Sequence, residues 1–206
     1  FDTVVGALGA TTLTSGTVKT KSYAAFADFS FDVTEQLKLS AGLRYTKDDK
    51  TGTVFRRNYL GLRSPLFGNA TAIPLLIRTD YTNDRSFEKL TPRVSISYQP
   101  NDNANIYASY GKGFKSGGFD MRGDAVFTPT TVNGYEPETI DSFEVGFKGA
   151  FLDRTLFTNV ALFKSKYKNP PVTVQVPSLA GGIAGFVDNA GRGDIWGAEL
   201  ELRAVP

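Results

Sequence analysis

At least five stretches of this chain alternate apolar and polar side chains with a period of two. That alternation confines them to β-strands with two chemically different faces. From Leu37 to Tyr45 the odd positions are Leu37, Leu39, Ala41, Leu43 and Tyr45, set against Lys38, Ser40, Gly42 and Arg44. Leu90–Tyr98 repeats the pattern, with Leu90, Pro92, Val94, Ile96 and Tyr98 against Thr91, Arg93, Ser95 and Ser97. Ala104–Phe114, Phe143–Lys148 and Trp196–Ala204 do the same, with Lys112 as the exception in the first of these. Two further segments are less regular. Tyr23–Val33 carries Phe26 on its polar side, and Thr155–Tyr167 is apolar on both faces in part, which leaves its parity open. No segment shows a helical period.

The breaks between strands sort into two kinds. Val33–Gln36, Gln99–Asn103 and Phe151–Arg154 are short polar turns, and they alternate with long connections over roughly residues 47–87, 115–138 and 168–190. Short turns at one end and long loops at the other are the arrangement of an outer-membrane β-barrel. The expected strands are about 20–33, 37–47, 88–98, 104–115, 139–150, 154–168 and 190–205, with 1–19 as an outer loop. Spans near ten residues fit a tilted crossing of the hydrocarbon layer. Seven crossings enter on one side and leave on the other, so the chain reads as part of a larger barrel.

Composition removes most catalytic chemistry. Among 206 residues there is no Cys and no His, so thiolate metal sites, disulfides and the commonest general base are missing. The formal net charge of +2 gives no reason to expect nucleic acid as a partner. The longest apolar run, Ala72–Ile77, is interrupted by Pro74 and is far short of the ~20 residues of a membrane-spanning helix. The reading is of a protein that is not an enzyme and needs no cofactor or metal of its own.

Cost decides which face meets lipid. A Lys or Arg on the lipid side costs roughly 2–4 kcal/mol at the bilayer midplane and much less near the interfaces. The set carrying Lys38, Arg44, Arg93, Glu144, Glu199, Glu201 and Arg203 therefore lines a polar lumen, and Leu, Val, Ile and Ala face lipid. Tyr23, Tyr45, Tyr110, Phe114 and Trp196 fall toward the long loops, and Phe31, Tyr98 and Phe151 toward the short turns, as two aromatic girdles. The rival architectures are a soluble antiparallel sandwich, for example one binding carbohydrate, and a small closed barrel that uses Thr11–Thr20 as an eighth strand.

Several stretches, in order, resemble the β-barrel domain of TonB-dependent outer-membrane receptors. They are Leu37–Tyr45, Leu90-Thr91-Pro92-Arg93-Val94, Tyr107–Lys115, Tyr135-Glu136-Pro137-Glu138, Phe143–Lys148, and Asn189–Gly193 running on to Trp196–Glu201. The resemblance implies an all-β, antiparallel section of about seven strands from a 22-stranded type of barrel, without the plug domain that occludes such barrels. It implies uptake of a scarce nutrient, such as a ferric siderophore, with energy from the TonB complex acting through the plug. Outer-membrane lipid and lipopolysaccharide would surround the wall. A passive porin or adhesin-type barrel is the functional alternative.

Candidate ligand contacts lie in the outer connections and lumen. Arg56, Arg57, Tyr59 and Arg63 cluster in one connection; Lys115, Arg122 and Tyr135 lie in the next, and Tyr107 on the strand before it. Guanidinium groups hold anionic groups through paired donors, and aromatic faces stack on planar or cationic ones. Gly111–Gly118 matches neither a phosphate loop nor a dinucleotide fingerprint. Arg192-Gly193-Asp194 is read as a loop returning to a strand, and Glu199 with Glu201 as hydrated wall rather than an acid–base pair.

Overall fold

The computed structural model describes residues 10–60, 73–177 and 183–205. Seven strands form one antiparallel sheet: β1 (Ala10–Asp32), β2 (Leu37–Leu60), β3 (Ile73–Asn101), β4 (Ala104–Lys115), β5 (Glu138–Phe151), β6 (Leu156–Lys168) and β9 (Arg192–Ala204), adjacent in that order. Between β6 and β9, β7 (Pro171–Pro177) pairs with β8 (Ile183–Asn189) as a separate hairpin. One short 3-10 turn, Pro129–Asn133, lies between β4 and β5.

Each tight turn closes through its own polar groups. The Leu37 amide donates to Thr34 Oγ1 at 3.0 Å and the Val33 amide to the Leu37 carbonyl at 2.8 Å. In the β5–β6 turn Leu152, Asp153 and Arg154 all adopt positive φ, and the Thr155 amide reaches the Leu152 carbonyl at 3.1 Å.

Over most of the sheet the registers keep like with like. Leu39 pairs with Ile96 and Phe31, Val94 with Ala41 and Tyr110, and Val145 with Ala108 and Leu162. One residue away, Ser40 pairs with Ser30 and Ser95, and Ser109 with Ser95 and Glu144. A slip of one residue anywhere would turn a strand inside out.

Register also resolves the parity of β6. Leu162 lies between Val145 and Ala198, and Phe163 between Glu144 and Gly197. Leu156, Val160 and Leu162 therefore share the apolar face, and Asn159, Ala161, Phe163 and Ser165 the polar one.

Among the described residues the apolar face has no second layer. Leu39, Val94 and Leu162 are 41%, 49% and 53% exposed. Among the described residues the buried hydrophobic side chains are Val54, Tyr59, Phe87, Phe119 and Ala161. A sandwich would bury such a face against another sheet; here it stays open along seven strands, as a lipid-facing wall does.

Three expectations about connections change. Residues 47–60 and 73–87, expected as loop, continue β2 and β3 as a paired ribbon from Lys47↔Glu88 to Leu60↔Ile73, with register shifts after Arg56 and after Arg57. At ~3.3 Å per residue the 24 residues of β2 reach about 80 Å, far more than the ~30 Å hydrocarbon layer. Residues 10–19, expected in an outer loop, are strand as well and pair with β2 from Ala10↔Leu60 to Lys19↔Thr51. Thr11–Thr20 is thus the first half of β1 and pairs with β2, not with the last strand, which removes the eight-stranded alternative. The connection over 168–190 contains the β7–β8 hairpin.

Candidate ligand-binding site

Beyond Gly111 the β3–β4 pairing stops, while β3 runs on beside β2. Residues 116–137 fill the space beside this ribbon and lie over its polar face. The ribbon residues that alternate toward that face are Val54, Gly52 and Lys50 on β2, and Thr79, Tyr81, Asn83, Arg85 and Phe87 on β3.

Their side chains fasten the loop along its length. Lys50 Nζ donates to the Gly117 carbonyl at 2.7 Å and Asn83 Nδ2 to the Val132 carbonyl at 2.8 Å. Arg85 donates to the Asn133 carbonyl and to Glu136 Oε1, both at 2.6 Å. The buried Thr79 hydroxyl donates to the Gly123 carbonyl at 2.9 Å and accepts from the Ala125 amide at 3.0 Å.

Arg78 closes a bidentate pair with Asp124, its Nε 3.2 Å from Oδ1 and Nη2 on Oδ2. The two side chains are 14% and 4% exposed. The Arg78 guanidinium also stacks 4.1 Å from the Phe127 ring centroid. Charge-assisted forks of this kind give geometry as well as energy.

Apolar contact completes the anchor. The Phe119 ring lies over Gly52, where any Cβ would enter the ring, and Met121 lies over Gly16. Gly117 and Gly118 let the loop approach Phe87 and Tyr135. The Gly118 amide donates to the Tyr135 carbonyl at 3.1 Å, and the Tyr135 amide returns the bond at 2.8 Å. Gly134 turns with φ +68, and a Cβ there would run into the Gly118 carbonyl oxygen, so the position suits glycine.

The β7–β8 hairpin is tied to the same loop through two side chains. Buried Asp120 accepts from the Arg122 amide at 2.9 Å through Oδ1 and from the Val187 amide at 2.8 Å through Oδ2. Asn189 accepts from the Glu136 amide at 2.6 Å and donates to the Glu136 and Asn169 carbonyls at 2.9 and 2.8 Å.

Of the expected contacts, Arg56 and Arg122 come together: Arg56 Nη1 donates to the Arg122 carbonyl at 2.5 Å. The Arg122 side chain is exposed and lies 3.2 Å from Asp120. Tyr135 sits at the base of the loop, and Lys115 at its entrance, 3.5 Å from Glu138. Arg57 and buried Tyr59 lie near the tip of the ribbon; Arg63 is outside the described residues. Tyr107 stands apart. It is on the membrane-level wall, donating to Glu144 Oε1 at 2.6 Å.

Arg56 Nε and the Tyr81 hydroxyl are buried with no hydrogen-bond partner among the described residues; so is Arg57 Nε, on the opposite face of β2, where its guanidinium lies 5.6 Å from the Phe55 ring centroid. Tyr81 and Arg56 are diagonal neighbours on one face, since Val54 pairs with Tyr81 and Arg56 with Thr79. Burial, with Asp120 nearby, pushes the Tyr81 phenol above its ordinary pKa, so it stays a neutral donor. Burial lowers the pKa of the Lys50 ammonium. Sequence reading missed Arg78, Thr79, Tyr81, Asn83 and Arg85 because they lay in an expected loop. The available signal was Asp120 and Asp124 bracketing Arg122 among Gly117, Gly118 and Gly123.

Lower on the polar face, Arg93 pairs with Asp28 at 2.7–2.8 Å. Gly42 lies between the strands that carry them, and a Cβ there would stand 2.6 Å from Arg93 Nε. Arg44 donates to Thr46 Oγ1 at 3.2 Å. Glu199 and Glu201 pair across β6 with Ala161 and Asn159, and Arg203 lies 5.9 Å from the Phe157 ring. β6 separates Glu144 from Glu199, so the carboxylates form no pair.

Comparison with known proteins agrees with this architecture. The family model for the TonB-dependent receptor-like β-barrel matches residues 1–205. The chain is 27% identical over 175 residues to an Acinetobacter baumannii protein named "Probable TonB-dependent siderophore receptor PiuA", covering 84% of this chain and 20% of that protein. It is 30% identical over 150 residues to the metal-pseudopaline receptor CntO of Pseudomonas aeruginosa, covering 71% of this chain and 19% of that one. The chain thus spans about a fifth of the length of these curated relatives. Its fold superposes on the ferric yersiniabactin uptake receptor FyuA of Yersinia pestis with a TM-score of 0.65 at 17% identity, covering 93% of this chain and 25% of that one. It superposes equally well, TM-score 0.65 at 14% identity, on the copper transporter OprC, covering 90% of this chain and 27% of that one. With its open seven-stranded sheet, alternating faces and matched family model, this chain belongs to the TonB-dependent receptor β-barrel family.

Proposed function

We propose that the chain forms a sector of the wall and mouth of an outer-membrane uptake receptor for a scarce, anionic ligand such as a ferric siderophore or a similar metal chelate. The polar face lines the lumen, and the ribbon, the 116–137 loop and the β7–β8 hairpin form part of the mouth. The observation that carries this reading is the pair of buried unpaired donors on one face of the ribbon, Arg56 Nε and Tyr81 Oη, next to the loop residue Arg122, whose guanidinium is exposed. A buried donor without a partner costs on the order of 1–3 kcal/mol, and an acceptor-rich ligand would recover that cost on binding. Carboxylate and catecholate oxygens are acceptors of this kind.

Binding at the mouth fits the division of labour in such receptors: the wall captures the ligand, and the TonB complex acts through the plug to release it inward. The luminal set Arg44, Arg93, Glu144, Glu199, Glu201 and Arg203 gives the wall a mixed, hydrated surface suited to a plug that slides or unfolds. No covalent step and no resident cofactor enter this reading.

The test uses the complete receptor carrying this segment, in cells that lack other uptake systems. Arg56→Gln with Tyr81→Phe should raise the ligand concentration for half-maximal uptake at least tenfold without changing receptor abundance. Uptake that is unaltered, or that persists when the TonB complex is removed, would refute the proposal; a constitutive conductance in planar bilayers would favour a passive pore.

A further inference from the structure

The apolar face carries a row of cations at one end only. Lys164, Lys166 and Lys168 occupy alternate positions of β6 on the same face as Leu162. The registers flank Lys164 with Phe143 and Trp196, Lys166 with Asp141 and Asp194, and Lys168 with Thr139 and Arg192. Lys112, opposite Asp141 on β4, joins the row.

Five cations thus face two carboxylates. Lys112 and Lys168 share Asp141 at 3.5 and 3.7 Å. Lys164, Lys166 and Arg192 form no ion pair among the described residues. At the short-turn end the same face of β5, β6 and β9 presents Phe147, Phe151, Leu156, Thr158, Leu202 and Ala204 and no cation. On β1–β3 the matching level is balanced, with Lys47 3.1 Å from Glu88 and Lys21 opposite Asp49.

Position fixes what the row can touch. A lysine is costly at the bilayer midplane and cheap near the interface, and long side chains lift their ammonium groups toward the headgroups. Level with Lys164, and below Lys166 and Lys168, lie Tyr110 and Phe143, their rings 4.7 Å apart, and Trp196, 79% exposed; such aromatics mark the interface. The row therefore stands at the headgroups of the leaflet on the long-loop side. In an outer membrane that leaflet is lipopolysaccharide, whose lipid A carries phosphates on a sugar pair above its acyl chains. Lysine ammonium groups bind phosphate as point charges, and the open aromatic and aliphatic surface beneath suits the acyl chains.

We propose that Lys112, Lys164, Lys166, Lys168 and Arg192 form a binding site for the lipid A phosphates of lipopolysaccharide on the outer surface of the wall. The proposal rests on the outer-membrane reading and concerns the face opposite to the ligand-binding mouth.

The experiment uses the complete receptor in neutral-lipid nanodiscs and counts retained lipid by native mass spectrometry. The probes are bis-phosphorylated lipid A, dephosphorylated lipid A and phosphatidylglycerol. The variant Lys164→Gln/Lys166→Gln/Lys168→Gln should retain phosphorylated lipid A about tenfold less well than the parent. The corresponding triple Arg variant should retain it normally, and dephosphorylated lipid A should hardly discriminate.

Equal retention by the Gln variant overturns the proposal. So does a loss of the same size for phosphatidylglycerol, since that shows attraction to any anionic surface. If the triple Gln variant fails to give a heat-modifiable folded band, Lys164→Gln and Lys166→Gln singly, with a salt titration of the parent, decide the matter: retention insensitive to both overturns it. Ligand uptake by a variant that no longer binds lipid A separates this site from the mouth, and loss of lipid A selectivity leaves the uptake reading intact.

Discussion

The loop over the mouth should be held shut by one ion pair more than by any other contact. Asp124→Asn removes the charge facing Arg78 while keeping the side chain's shape. Breaking a buried pair from one side costs about 3–5 kcal/mol because the other charge is left desolvated. Arg78 is 14% exposed and keeps the Phe127 ring at 4.1 Å, so the low end, ~3 kcal/mol, applies. This cost falls on local opening of 116–137 rather than on the barrel. At tenfold per 1.4 kcal/mol, the open population rises roughly a hundredfold.

Hydrogen exchange of the complete receptor reads this directly. The amides of Gly118, Val126 and Thr128, bonded to the carbonyls of Tyr135, Arg78 and Asp124, should exchange about a hundredfold faster, with β5 and β6 unchanged. The double variant Arg78→Met/Asp124→Leu should restore most of the protection, since an apolar pair of similar volume replaces both charges without desolvation cost. An increase below threefold, or one shared equally by β5 and β6, would refute the reasoning.

Further consequences follow from the same geometry. Phe119→Ala removes one of the few buried rings and should destabilise the closed loop by about 3 kcal/mol, seen as faster thermolysin cleavage within 116–137. Gly52→Leu places a side chain in the Phe119 ring and should open the loop comparably; unchanged cleavage in both would remove the apolar anchor from the account. Val145→Arg puts a charge on the lipid face and should cost roughly 2–4 kcal/mol in urea unfolding from liposomes, whereas Ser109→Arg, opposite Glu144, should cost little. Spin labels should report lipid at Leu162 and water at Phe163; the reverse would overturn the parity of β6.

The crossing strands were legible because hydrocarbon on one side and water on the other write a period of two into the sequence. Leu37–Tyr45 and Leu90–Tyr98 carry that record plainly. The extension of β2 through Lys47-Asp48-Asp49-Lys50-Thr51 does not, since both of its faces lie outside hydrocarbon and polar residues suit both. Its β structure comes from pairing with Asp84–Glu88 on one side and Lys19–Tyr23 on the other. The parity of β6 was hidden for a related reason: Phe163 lies on the polar face, so apolar residues occupy both sides. At the mouth the cationic residues could be singled out by type. Their partners could not, because Arg78–Asp124 and Asp120–Val187 join positions 46 and 67 residues apart.

The amino-acid order by itself determined that this chain is a sheet with one greasy and one wettable side, how many times it crosses, and, in every crossing strand but β6, which residues share a side, because solvent contrast acts on each position locally. Only the tertiary structure decided how far the strands outrun the membrane and that the 116–137 connection folds back across their polar face. Those outcomes depend on hydrogen bonds and ion pairs between distant segments, whose energies exist only once the segments have met.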